Sequence, residues 1–321
     1  MSQSAATPPS PGAGALRRAL GDYLRLRRAL GYRLARPEKL LGQFLDYLEQ
    51  VGAEGVTVEH ALAWARLPAD GSPGWWAHRL STVRGFATYL RTLDPATEVP
   101  PIDLLPARRQ RATPYLYSED DIAALIAAAA ASLRTAFRQA TYQTLIGLLA
   151  VTGIRIGEAI ALDRGDVDLT GGLLVVRHGK FGKSRELVIH PSTTTALRCY
   201  LRQRDRLDPA PDTAAVFVST AGTRLLYCNV STTWCRLVAR AGLTGRSACC
   251  RPRIHDLRHS FAVRAMLDAY AAGEDGQRRL TLLSTYLGHV DPASTYWYLS
   301  AAPELLALAA GRLQNHPRRR P

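Results

Sequence analysis

The sequence predicts a mainly α protein with one small β-hairpin or sheet, divided into two domains of unequal size. Three observations carry this expectation. Apolar residues recur at helical spacing over 15–93 and again through most of 118–313. Only 173–177 and 186–189, aliphatic runs on either side of a Gly/Lys turn, read as a hairpin, and 216–219 can add a short strand. Between the helical stretches, residues 94–117 hold five prolines, and 321 residues are too many for one ordinary core.

The elements follow in order. The opening MSQSAATPPSPGAGA has neither the basic nor the apolar region of a signal peptide, and 1–14 reads as a disordered tail. From residue 15, Leu16, Leu20, Tyr23, Leu24 and Leu34 recur at helical spacing. Arginines 17, 18, 25, 27, 28 and 33 occupy the remaining surface. Pro37 suits a first helical position, followed by the stripe Leu40, Leu41, Phe44, Leu45 and Leu48. Thr57 can cap a short third helix. Ser72-Pro73 opens a fourth, with Trp76, Leu80, Val83, Ala87 and Leu90 as its buried stripe. The result is a four-helix, basic domain over 15–93.

Proline density over 94–117 removes backbone donors and blocks helix, so this segment reads as an extended basic linker carrying Arg108, Arg109 and Arg111. Ser118 with Asp121 resembles a capping box and begins the second domain, 118–313. Its helices are expected at 119–132, 135–151, 192–206, 230–241, 256–270, 279–287 and 303–313. A basic tail, 314–321, ends the chain.

Composition narrows the function. Lys plus Arg number 41 against 27 Asp plus Glu, a formal charge of +14, which points to a polyanionic partner, nucleic acid before anionic membrane. With 47% hydrophobic and 21% charged residues the chain is ordinary globular material. No apolar run approaches the ~18 residues that cross a bilayer. The five cysteines, an odd number with no C-x-x-C pair, favour neither a disulfide framework nor a zinc site, and a reducing cytoplasm is the simple expectation. Lysine occurs only at 39, 180 and 183. Where it persists twice in GKFGK, the position can require an ammonium group that arginine does not replace.

Four segments carry candidate chemistry. In TGIRIGE (152–158) a glycine turn would present Arg155 at the start of a helix. In HGKFGKSRE (178–186) lysines sit on a hairpin tip as a basic finger, and the spacing of Gly179 and Gly182 excludes a Walker-type phosphate loop. In HDLRHS (255–260), His255 and Arg258 lie three apart and on a helix could converge on one anion. His255 and His259 have the spacing of two zinc ligands, but the H-E-x-x-H glutamate is missing and no third ligand is evident, so no metal is expected. In LGHVDPASTYWYLS (287–300) a helix ends at Gly288-His289, and a short helix then carries Tyr296, Trp297 and Tyr298, of which one or two would pack in a core.

Each motif alone fits a surface arginine, a solvated turn or core packing. Together TG-x-R, a hairpin lysine, H-x-L-R, LGH and a tyrosine nine residues beyond His289 resemble the tyrosine recombinase (phage integrase) family. The resemblance covers residues 15–312 and implies a two-domain DNA clamp, a helical core-binding domain (SAM-like) followed by a tyrosine-recombinase catalytic domain. It maps the catalytic arginines onto Arg155 and Arg258, the lysine onto Lys180, the histidines onto His255 and His289, and the nucleophile onto Tyr298. Glu158 matches a supporting acidic position. Phe181 departs from the family's glycine in the lysine loop. TYWYLSAAPELL also looks like a branch of the family associated with transposons.

The residue types suit the chemistry the resemblance implies. Two arginines and His255 can neutralise phosphodiester oxygens through charge-assisted hydrogen bonds. Lys180 can protonate the leaving 5′ oxygen, and a cationic site favours the phenolate of a tyrosine whose free pKa is ~10. A covalent 3′-phosphotyrosyl link would conserve the bond energy, so no cofactor, metal or nucleotide, is expected. Double-stranded DNA is the expected partner. Arg17, Arg18, Arg25, Arg27, Arg28, Arg108, Arg109, Arg111 and Lys183 are the candidate DNA-binding residues. The family implies a homotetramer on two DNA sites, with accessory recombination proteins able to set direction. No membrane association and a cytoplasmic, nucleoid-associated location are expected. A type IB topoisomerase-like enzyme and a catalytically silent DNA-binding or architectural protein are the competing readings.

Overall fold

The computed structural model describes residues 13–32, 34–106, 112–177, 184–207 and 210–288. Helix α1 (Ala13–Ala29) buries Leu16, Leu20, Tyr23 and Leu24 along one face, as their spacing requires. Helix α2 (Ala35–Gln50) buries Leu40, Leu41, Phe44, Leu45 and Leu48. It starts earlier than Pro37 suggests. Leu34 is its N-cap at φ 49°, outside any helix, and Pro37 falls at the third helical position, where its missing N–H has no intrahelical acceptor to lose.

Helix α3 (Val58–Arg66) is capped by Thr57, whose hydroxyl accepts from the His60 N–H at 3.1 Å. Helix α4 (Pro73–Leu90) has Ser72 as N-cap and Pro73 at its first position. Trp76, expected in the α4 stripe, is only half-buried, and Phe86 fills the core instead. The buried Arg79 lies 3.7 Å over the Trp64 ring and donates to the Trp64 carbonyl at 2.7 Å.

The chain divides into two compact units, Met1–Arg111 and Ala112–Pro321. The described part of the proline-rich stretch is ordered against them rather than free. The Glu98 N–H donates to the Val56 carbonyl at 3.1 Å, and Arg84 donates to the Pro100 carbonyl at 2.7 Å, so this half of the stretch belongs to the first unit. Tyr115 and Tyr117 are buried in the core of the second unit.

The second unit opens with α5 (Glu119–Ser132), whose capping box pairs Ser118 with Asp121 in both directions at 3.0 and 3.1 Å. Helices α6 (Ala136–Thr152) and α7 (Ile156–Ala161) follow. Then come β1 (Val167–Asp168), β2 (Leu173–Val176) and β3 (Arg185–Val188), an antiparallel sheet in chain order with Leu174 opposite both Val167 and Leu187. The expected hairpin is therefore a three-stranded sheet. Residues 216–219 do not join it. Val216, Phe217 and Val218 are buried, and their backbone pairs with loop partners, the Val216 N–H reaching the Leu162 carbonyl at 2.8 Å.

Helices α8 (Pro191–Arg204), α9 (Tyr227–Arg240), α10 (Asp256–Ala271) and α11 (Gly276–Leu287) complete the described part. The main core gathers Leu125, Leu145, Leu149, Leu174, Leu197, Phe217 and Leu237. A satellite cluster joins Val263 and Met266 of α10 to Leu280, Leu283 and Leu287 of α11. The expected helix over 303–313 lies outside the described residues. Among the described residues no helix is long and apolar enough to cross a membrane. The cysteines are free.

Candidate active site

Two helix ends build the site. Helix α6 stops at Gly153, whose φ of 60° closes the last turn. A side chain there would meet the Phe261 ring at 2.5 Å and Leu287 at 3.2 Å. Helix α11 stops in the same way at Gly288, φ 68°, with Arg185 packed 3.0 Å from where a Cβ would sit. The glycines of TG-x-R and LGH thus share one local task.

Beyond Gly153 the chain turns out of helix, and Arg155 becomes the N-cap of α7. Its backbone N–H donates to one Glu158 oxygen at 2.9 Å and its guanidinium to the other at 2.7 Å. The Arg155 side chain keeps 24% of its surface open to solvent, whereas Glu158 keeps 7%. Burial pushes the Glu158 carboxyl up, but hydrogen bonds from Arg185 and from the Arg155 N–H outweigh this and hold it at about 2.

Arg258, in the first turn of α10, is 1% exposed. Its guanidinium donates to the Gly153 carbonyl at 2.8 Å and to the Leu287 carbonyl at 2.6 Å, clamping the C-terminal ends of α6 and α11. Helix C-termini present carbonyls without intrahelical donors and the negative end of the macrodipole, so a buried cation is stabilised there.

His255 sits at the N-cap of α10, just before the helix rather than within it. Its ring meets His259 edge-on, centroids 5.1 Å apart. Although the residue is exposed at its rim, packing around the ring and the positive Arg258, Arg155 and Arg253 push its pKa down to about 4. The imidazole is neutral at neutral pH. Asp256, fully buried, anchors this turn by accepting from Arg253 at 2.9 and 3.0 Å. Among the described residues no group of three His, Cys, Asp or Glu is placed to hold a metal ion.

The fold therefore brings Arg155, Glu158, His255 and Arg258 together around the Gly153 turn. Lys180, Lys183, His289, Tyr296 and Tyr298, and likewise Arg108, Arg109 and Arg111, lie outside the described residues. In the first unit, Arg17 is paired with Asp46 and Glu49, Arg25 with Asp22 and Arg28 with Glu38. Arg27 lies 3.9 Å over the Tyr32 ring, and Arg18 is exposed.

Sequence reasoning missed Arg185. It leads β3, donates to both Glu158 oxygens at 3.2 and 2.8 Å, and donates through Nε to the Tyr286 carbonyl at 2.9 Å. The signal was present. Arg185 alternates in step with buried Leu187, so a charge stands at an inward-facing strand position and demands a buried partner.

Around the Gly153 turn the Arg155 guanidinium is thus partly open to solvent beside the His255 imidazole, while the Arg258 guanidinium is buried on the Gly153 and Leu287 carbonyls. Comparison with known proteins gives the family of the chain. The family model described as "Phage integrase family" matches residues 116–304. This chain belongs to the phage integrase family, the tyrosine recombinases. A Sinorhizobium fredii protein named as an integrase/recombinase, y4rB, is 43% identical over 305 residues, covering 93% of this chain and 97% of the relative. The tyrosine recombinase XerC of Azotobacter vinelandii is 32% identical and covers 80% of this chain and 79% of its own. The structure of XerH site-specific recombinase bound to a palindromic difH substrate shares the fold, with a TM-score of 0.63, 17% identity, and coverage of 96% of this chain and 98% of that one. The mainly α fold with a small sheet is thus that of tyrosine recombinases.

Proposed function

We propose that this protein is a site-specific DNA recombinase that cleaves and rejoins duplex DNA through a 3′-phosphotyrosyl intermediate, in the service of a mobile element. The observation that carries the reading is the convergence of Arg155, His255 and Arg258 on one turn, held there by Glu158 and by two helix ends. Arg155 and Arg258 would neutralise the non-bridging oxygens of the scissile phosphate, with His255 and His289 completing the donor set. The Tyr298 oxygen attacks phosphorus, the bond from phosphorus to the 5′ oxygen breaks, and Lys180 supplies the proton that the 5′ oxygen takes up. Rejoining reverses these steps, so neither a metal nor a nucleotide is needed.

The basic helices of the first unit and the catalytic unit would form a clamp on DNA, with Arg18, Arg27 and the exchangeable arginines of surface ion pairs contacting phosphates. Four copies on two DNA sites, assisted by accessory proteins, would exchange strands in the cytoplasm at the nucleoid. A duplex nicked near the cleavage point tests the reading. Covalent adduct formed in the presence of a chelator, together with joined products from two duplexes, is the expected result. No adduct would leave a silent DNA-binding protein, and adduct without joining would leave a topoisomerase-like enzyme.

A further inference from the structure

Arg185 has no role in the scheme above, yet its contacts are concentrated on the site. It is an arginine on a short strand with only 14% of its side chain exposed, and a buried guanidinium is retained only where its donors are used. Two of its donors hold Glu158, the carboxylate that also fixes the Arg155 side chain and backbone. A third holds the carbonyl of Tyr286, one residue before the carbonyl that Arg258 holds, at the end of α11. Gly288 follows directly, packed on the Arg185 guanidinium, and from it the chain enters the segment that contains His289 and Tyr298. Arg185 itself stands two residues after Lys183 in sequence.

We infer that Arg185 is a positioning residue for cleavage. It registers three parts of the site to one another: the Arg155 turn through Glu158, the root of the nucleophile-bearing segment through the Tyr286 carbonyl, and the base of the lysine hairpin through its own strand. Its planar, forked donor set allows this. A lysine ammonium at the same place is a point charge on a different stem and does not reproduce the three donors that Arg185 divides between the Glu158 carboxylate and the Tyr286 carbonyl. Arg185 and Glu158 spend their hydrogen bonds on protein groups, and in the proposed scheme only Arg155 of this network meets the phosphate, so the inference assigns Arg185 to the chemical step rather than to affinity. This inference depends on the proposed cleavage reaction.

Adduct formation under single turnover on the nicked duplex tests it, using the full chain and the variants Arg185→Lys, Arg185→Gln, Glu158→Gln and Arg185→Gln/Glu158→Gln. The glutamine variants should form adduct at least about tenfold more slowly while duplex affinity stays within about twofold. The double variant should be no slower than the worse single one, because both changes break the same network. The acid limb of the rate profile should move to higher pH in Arg185→Gln, since burial then acts on Glu158 with one guanidinium fewer. Arg185→Lys, which keeps the charge, should fall between wild type and Arg185→Gln, and carries the test alone if Arg185→Gln melts below the assay temperature. Wild-type rates in Arg185→Lys and Arg185→Gln, rate losses matched by lost affinity, or losses that multiply in the double variant would overturn the inference. Absence of adduct in the wild type would instead overturn the cleavage reading.

Discussion

Arg258 offers a prediction whose size follows from its geometry. Replacing it with alanine leaves the Gly153 and Leu287 carbonyls without the donors now at 2.8 and 2.6 Å. Hydrogen bonds to a charged group contribute about 1.5–3 kcal/mol each, so two are worth about 3–6 kcal/mol. Releasing a buried charge from its desolvation offsets part of this, and a net loss of about 2–4 kcal/mol remains. For a unit of this size each kcal/mol lowers the midpoint by about 2–4 °C, which places the expected drop at about 5–15 °C. Differential scanning calorimetry of the full chain would resolve it, with the transition of the second unit moving and that of the first staying in place. Arg258→Lys should recover about half the loss, because one ammonium can serve one carbonyl well. A midpoint for Arg258→Ala within about 2 °C of wild type would refute the clamp between α6 and α11.

Other consequences are open to simple measurement. Burial and the neighbouring arginines hold the folded His255 at about 4, below the ordinary histidine value of about 6.5, so protonation favours the unfolded chain. Its contribution to stability is whole above about pH 6.5 and is lost as pH falls toward 4, and His255→Asn should flatten denaturation midpoints across that window. An unchanged slope would contradict the depressed pKa. Ser118→Ala removes the cap that accepts from Asp121, and should lower stability by about 1 kcal/mol in a denaturant titration, with no effect meaning that the box does not hold α5. Affinity for duplex DNA should fall steeply as salt rises, about one counterion per neutralised phosphate, and a flat dependence would exclude the basic clamp.

Which parts of this were legible in the sequence depends on how far apart the interacting residues lie. Helix starts were readable because a cap and its N–H are neighbours, as with Thr57, Ser72-Pro73 and Ser118 with Asp121. Strand β1 was not, since two residues carry no period and gain their conformation only by pairing with β2. The start of α2 was misread because Leu34 takes a left-handed conformation that its side chain does not announce. In the site, the types and spacing of Arg155, Glu158, His255 and Arg258 were visible, but what holds them was not. Arg258 finds its acceptors 105 and 29 residues away, and Arg185 finds Glu158 at a separation of 27. A local pattern names the chemical groups, whereas the fold supplies their partners.

The proposed chemistry turns on one oxygen, and the tyrosine that becomes attached to DNA can be identified directly. Family spacing from His289 selects Tyr298, and a helical segment would turn Tyr296 away by about 200°. Trapping the adduct on a nicked duplex, digesting it and mapping the nucleotide-bearing peptide by mass spectrometry should place the phosphotyrosyl link on Tyr298. Tyr298→Phe, which removes one oxygen and little volume, should bind the same duplex with wild-type affinity and form no adduct. A link mapped to Tyr296, or an adduct formed by the Tyr298→Phe protein, would contradict the account.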